Sequence, residues 1–186
     1  MVLALLHGTR IGITTIKGLT IIDEKPIYAF SSLEIMAFKG YKSLSNCSSN
    51  NNIYVSIMNA KASRIYYGIY EFKNNNANMI TKPTAYTINE LLLLLKTKYT
   101  NNDNIILVTD TYNEYIEIVN EFNKTNNTNL NLITNNIYTD SFTITDYYIY
   151  LKTKENYLKN TYDLDVEYVR TSSAERIKNG NINKES

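Results

Sequence analysis

"IYVSIMNAKASRIYYGIYEFKNNNAN", residues 53–78, reads as two β-strands and two turns. Ile53–Met58 and Arg64–Phe72 are rich in β-branched and aromatic residues and are bounded by polar stretches, the pattern of strands. In the second strand Tyr66 and Tyr70 fall on one face and Tyr67 on the other, because successive strand side chains alternate. Asn59, Lys61 and Arg64 stand at the turn joining the pair, and "KNNNAN" (73–78) turns the second strand into the next. A strand pair embedded between helical segments points to an α/β layered fold.

Working outward, helices announce themselves by capping boxes, in which a Ser or Thr is followed three residues later by Glu. The pattern occurs at Ser31 with Glu34, Thr87 with Glu90, Thr111 with Glu114, and Ser172 with Glu175. The helix after Thr111 carries Tyr115, Ile118, Val119 and Phe122 at helical spacing. A further helix is read over Ile144–Leu158, where Tyr147, Tyr148, Leu151 and Leu158 recur. Ile105–Thr109 reads as a strand and Leu130–Ile133 as a weaker one. The stretch "CSSNNN" is a loop, and the polar end "NGNINKES" should fray.

Ahead of all this lies "HGTRIGITTIKGL" (7–19), with Gly8, Gly12 and Gly18 in a helical pattern. Each glycine costs a helix about 1 kcal/mol against alanine. The helix is read from Thr9 to Ile22. One face holds Ile11, Thr15, Gly18, Leu19 and Ile22; a second stripe holds Ile13, Ile16 and Thr20; Arg10, Thr14 and Lys17 form a narrow polar remainder. Such a helix is covered from more than one side. Pro26 stops it, and "IYAF" (27–30) reads as a short strand. Gly8 and Gly12 stand four apart, a spacing that permits close helix approach. The alternative is a glycine loop at a helix N-terminus, where Gly8, Thr9 and Arg10 would cradle phosphate. No Walker lysine follows, so independent ATP binding is not expected.

Composition excludes several classes. With 19 Lys and Arg against 18 Asp and Glu, the net charge of +1 provides no basic field for nucleic acid. One cysteine, Cys47, forbids an internal disulfide and suits a reducing cytosol. One histidine, His7, and one cysteine leave no set of nitrogen and sulfur ligands for zinc. "MVLALL" lacks the basic region and cleavage site of a signal peptide, and "LLLLL" (91–95) is far shorter than the roughly 20 residues of a membrane span. A cytoplasmic protein without membrane attachment is expected.

The stretches "GTRIGITTIKGL", "FSSLEIMA", "MNAKASRIYYGIY" and "YVRTSSAE" occur in this order between about Leu6 and Glu175. Together they resemble the TsaB family, the non-catalytic member of the bacterial machinery that makes threonylcarbamoyladenosine in tRNA. The resemblance implies an actin-like (ribonuclease-H-like) two-lobe α/β fold whose first lobe is incomplete at its N-terminus. Residues 1–30 would be the remnant of that lobe, joined by a C-terminal helix at 169–186, and residues 31–168 the second lobe. Where the family has a Gly-Pro-Gly-Ser-Phe-Thr loop, this chain has Val2 to His7, so either the start has been placed late or the copy is degraded. Asn59 replaces the leading acid of the third motif, and Lys61 and Ala62 its basic pair.

By that resemblance the first helix docks a TsaD-like transferase or a second copy of the chain. Gly8, Gly12, Ile13, Ile16 and Thr20 would line the contact, while Ile11, Gly18 and Ile22 would face the chain's own core. A TsaE-like ATPase would assist, tRNA would be met only through the complex, and no catalysis, metal or cofactor would belong to this chain. The catalytic relative's His-x-x-x-His metal site cannot be carried over to a chain with one histidine. Arg10, Asn59 and Lys61 could touch phosphate or tRNA, although an ordinary polar hairpin explains the last two. The tyrosines could stack on bases, but packing explains them better without a basic surround. Arg170, Glu175 and Arg176 read as cap and ion-pair residues of a final helix. Competing readings are an actin-superfamily ATPase or acyltransferase, and a truncated or degenerate remnant without activity.

Overall fold

A computed structural model describes residues 2–21, 25–44, 52–60, 63–99, 104–133, 137, 139–162 and 164–165. Lys61, Ile22, Cys47 and the C-terminal segment with the Ser172 capping box, Arg170 and Arg176 lie outside those residues. The chain forms two compact units, Met1–Lys25 with Asn160–Ser186, and Pro26–Lys159.

The larger unit is built on a five-stranded sheet. Its strands are β2 (Asn52–Asn59), β3 (Ile65–Lys73), β4 (Asn76–Tyr86), β5 (Asn104–Thr109) and β6 (Asn131–Leu132), arranged β4-β3-β2-β5-β6. The first three form an antiparallel meander, whereas β5 and β6 run parallel to β2. Parallel neighbours need crossover helices, supplied by α3 (Ile88–Lys98) and α4 (Tyr112–Asn126). The turn between β3 and β4 places Asn74 and Asn75 at φ 53° and 61°, the left-handed pair of a two-residue hairpin that asparagine tolerates.

Because β2 is central, its buried run Ile53–Ile57 is covered on both faces. Ile53, Val55, Ile57 and Tyr67 pack with Leu91, Leu92, Leu95 and Val119 of the crossover helices. Tyr54, Tyr70, Phe72 and Val108 pack on the opposite face, against α2 (Ser32–Ser43) and α5 (Ser141–Tyr150). The alternation of Tyr66 and Tyr70 against Tyr67 is therefore realised, with both sides used for core.

Several elements differ from the sequence reading. The strand β4 was not named there, since its sequence is polar and holds Pro83. It is an edge strand, and its register slips opposite Gly68 between the pairs Tyr67↔Thr84 and Ile69↔Thr81. A bulge on an edge is where a residue without an N–H is tolerated. The helix read as Ile144–Leu158 is instead Ser141–Tyr150, followed by a 3-10 turn (Glu155–Tyr157) and a short strand, β7 (Leu158–Lys159). Asp140 starts it early by accepting from Thr143 N at 2.7 Å. β7 pairs with β1 (Ile27–Tyr28), which is all that forms of the strand read at 27–30.

In the smaller unit α1 spans Val2–Ile21, longer than the Thr9–Ile22 read from the pattern. Gly8 and Thr9 thus sit inside a helix whose backbone N–H groups bond along the helix, and no phosphate cradle exists there.

Candidate partner interface

Burial divides α1 into sides. Ile13, Lys17 and Thr20 recur at helical spacing and are half-buried. On that side Lys17 Nζ donates to the Tyr162 carbonyl at 3.3 Å, and the Thr20 and Thr161 hydroxyls lie 3.4 Å apart. Thr161 and Tyr162 therefore lie along this side, within the same unit. On the opposite side Ile11 is 62% exposed, Leu19 69% and Ile16 43%. Gly12 and Gly18 are exposed too, and a Cβ on either would meet nothing within 4 Å.

These positions correct the assignment of sides. Ile11 and Gly18 do not face a core; they belong to the open apolar side. Thr20 is on the side that Thr161 and Tyr162 approach, and half-buried Ile13 falls on that side by helical spacing. Gly12 and Ile16 stay on the open side, and Gly8, four residues before Gly12, continues that line of the helix. Among the described residues no neighbour requires Gly12 or Gly18 to be glycine. Thr15 and Thr20 return their hydroxyls to the carbonyls four residues back, at 2.9 and 2.8 Å, so neither adds a polar group seeking an outside partner. Arg10 is exposed on the same helix.

The β2–β3 turn is engaged internally. Ala60 N donates to the Arg64 carbonyl at 2.9 Å, closing the turn. Asn59 Nδ2 donates to Glu114 Oε2 at 2.9 Å, and Arg64 Nη1 stands 4.0 Å from Glu90 Oε2. Asp110 follows the end of β5, and burial raises its carboxyl pKa, with Glu114 adding to the effect. Among the described residues no group of three or more His, Cys, Asp or Glu is placed to hold a metal ion. No helix among them is long and apolar enough to cross a membrane.

One polar cluster escaped the sequence reading. Glu34 does not cap α2: Ser31 makes no side-chain cap bond. Instead Glu34 is 7% exposed and accepts at Oε1 from the hydroxyls of Tyr147 and Tyr157, each at 2.6 Å. Desolvation, together with the adjacent carboxylate, raises the pKa of both phenols. A Glu inside "SSLEIMAF", flanked by apolar residues on both sides, was the available signal that it is buried.

No protein-family model matches this chain, and no curated protein matches it by sequence. Solved structures do match. A crystal structure of an uncharacterized protein with similarity to peptidase YeaZ, from Pseudomonas aeruginosa, superposes with a TM-score of 0.62 at 14% identity, covering 88% of this chain and 68% of that one. YeaZ from Pseudomonas aeruginosa superposes with a TM-score of 0.60 at 14% identity, covering 87% and 68%. The chain thus shares the α/β fold of these YeaZ structures, as the sequence motifs implied.

Proposed function

We propose that this protein is a TsaB-like scaffold subunit, which binds and activates a TsaD-like transferase in the threonylcarbamoyladenosine modification of tRNA. The open apolar side of α1 on a YeaZ-like fold is the observation that supports this most. Ile11, Ile16 and Leu19 offer aliphatic anchors, and Gly8 and Gly12 let a partner helix approach their backbone. The chemistry belongs to the transferase, a TsaE-like ATPase assists turnover, and tRNA is met through the assembled complex in the cytoplasm.

Calorimetry with the cognate TsaD-like protein tests the proposal. Ile16→Glu and Leu19→Glu place a carboxylate in the contact, where a buried unpaired charge is strongly unfavourable. Loss of a central anchor costs about 2 kcal/mol or more, roughly thirtyfold in affinity. Leu93→Glu, an exposed apolar site on α3 of the larger unit, should leave binding unchanged. Full affinity in folded Ile16→Glu and Leu19→Glu proteins would remove α1 from the interface. No binding by the unaltered chain would remove the scaffold function itself.

A further inference from the structure

The two passages of the chain between its units, at Lys25–Pro26 and at Lys159–Asn160, are adjacent to a common ladder. β1 begins one residue after the first passage and β7 ends at the second; they pair antiparallel, Ile27 opposite Lys159 and Tyr28 opposite Leu158. One further bond, from Ala29 N to the Tyr157 carbonyl at 2.9 Å, extends the pairing. A ladder this short is marginal by itself. Leu158 and Lys159 are exposed, so little apolar burial holds β7 in place.

Tyr157 supplies what the ladder lacks. Its ring centroid lies 4.9 Å from that of Phe30, and its hydroxyl donates to buried Glu34 on α2. Each phenol carries one proton. With Tyr147 and Tyr157 both donating to Glu34 Oε1, their own 3.0 Å approach is a contact between oxygens and not a second bond. The separations of 2.6 Å are at the short end for O–H···O bonds, and bonds to a carboxylate are about twice as strong as neutral ones. Peeling β7 from β1 draws Tyr157 away and strips a buried carboxylate of one of its two donors, which is costly in a low-dielectric interior.

We propose that the Glu34–Tyr157 hydrogen bond is a latch: it holds the strap leading into β7, and through it keeps the two chain passages clasped together. Tyr147 shares the carboxylate but sits on α5, outside the strap, and belongs to the core.

Amide hydrogen exchange on the full chain tests this. Tyr157→Phe removes only the hydroxyl and leaves the ring against Phe30. Exchange at Ala29 and at the β1–β7 amides should then rise roughly tenfold or more, the scale of one hydrogen bond to a charged group, while Val55 and Leu107 in the central sheet keep their protection. Trypsin cleavage after Lys159 should accelerate in parallel. Glu34→Gln, which keeps the shape and one acceptor oxygen, should give a smaller rise at the same amides. Tyr147→Phe should leave the ladder no faster relative to the sheet. The latch is overturned if Tyr157→Phe leaves the ladder unchanged, if Tyr147→Phe opens it equally, or if exchange rises uniformly through the sheet.

Discussion

Gly40 in α2 lies so close to Val108 in β5 that a Cβ on the glycine would stand 2.6 Å from Val108 Cγ2. Ile133 Cδ1 is next, at 3.2 Å. Val108 is fully buried, and its branched side chain has little rotameric freedom to retreat. Overpacking of this kind costs about 1–3 kcal/mol, against a gain of up to about 1 kcal/mol in helix propensity. Gly40→Ala should therefore lower stability by about 1–2 kcal/mol in urea unfolding. Val108→Ala has its own cavity cost, but in the double variant the two losses should be less than additive, by at least about 0.5 kcal/mol between touching residues. A Gly40→Ala protein as stable as the parent would show that the helix can move away from the sheet at no cost.

The capping pattern separates into cases that respond differently to mutation. Thr87 and Glu90 make a complete box: Thr87 Oγ1 accepts from Glu90 N at 3.3 Å, and Glu90 Oε2 accepts from Thr87 N at 2.7 Å. Thr87→Ala should cost about 1 kcal/mol. Ser31 makes no cap bond, so Ser31→Ala should stay within about 0.5 kcal/mol of the parent, as neutral substitutions do. Equal losses from the two variants, measured in one denaturant series, would contradict this division.

These caps also show where sequence reading stops. The Ser31, Thr87 and Thr111 patterns are locally identical, yet Glu34 is drawn off by tyrosines 113 and 123 positions away, and Glu114 by Asn59. No local rule carries that information. The central strands were legible because β2 and β5 are buried on both faces and so nearly continuous in apolar residues, whereas β4 was hidden by Pro83 and an edge position that tolerates polar residues. On α1 both candidate faces are apolar, so periodicity found the stripes but could not say which one Thr161 and Tyr162 line. The order of motifs carried the fold where periodicity was ambiguous.

Asp140 gives a pH dependence with a definite sign. It pairs with Lys39 and accepts from Thr143 N and Thr143 Oγ1. The Lys39 bond first, and the Thr143 bonds after it, lower its carboxyl pKa from 3.8 to about 2. A lowered folded-state value means that the unfolded chain binds the proton more readily. The contribution is thus complete above the unfolded value of about 4 and is lost as pH falls toward about 2. Asp140→Asn keeps a residue able to cap α5 but cannot pair with Lys39. Its thermal midpoint should fall less steeply than that of the parent between about pH 4 and 2. Superimposable acid profiles would mean that the pair contributes nothing to stability in solution.

The open side of α1 sets an expectation for the chain on its own. Ile11, Ile16 and Leu19 are exposed along one helix, and burying one such side chain fully contributes roughly 1.5–3 kcal/mol. Contiguous apolar surface of this kind tends to find a partner, and without a transferase the available partner is another copy. Sedimentation equilibrium should show association that rises with protein concentration. Leu19→Glu should shift it toward monomer, since each association would have to bury the new carboxylate. Thr20→Glu is the instructive contrast. Thr20 lies on the side facing Thr161, so a charge there should disturb α1 against Thr161 and Tyr162 and leave the open side intact. If both tasks use the same face, adding the TsaD-like protein should dissolve the self-association in proportion to the complex formed. A monomer at every concentration, with Leu19→Glu no different from the parent, would mean that this apolar side is satisfied within the chain.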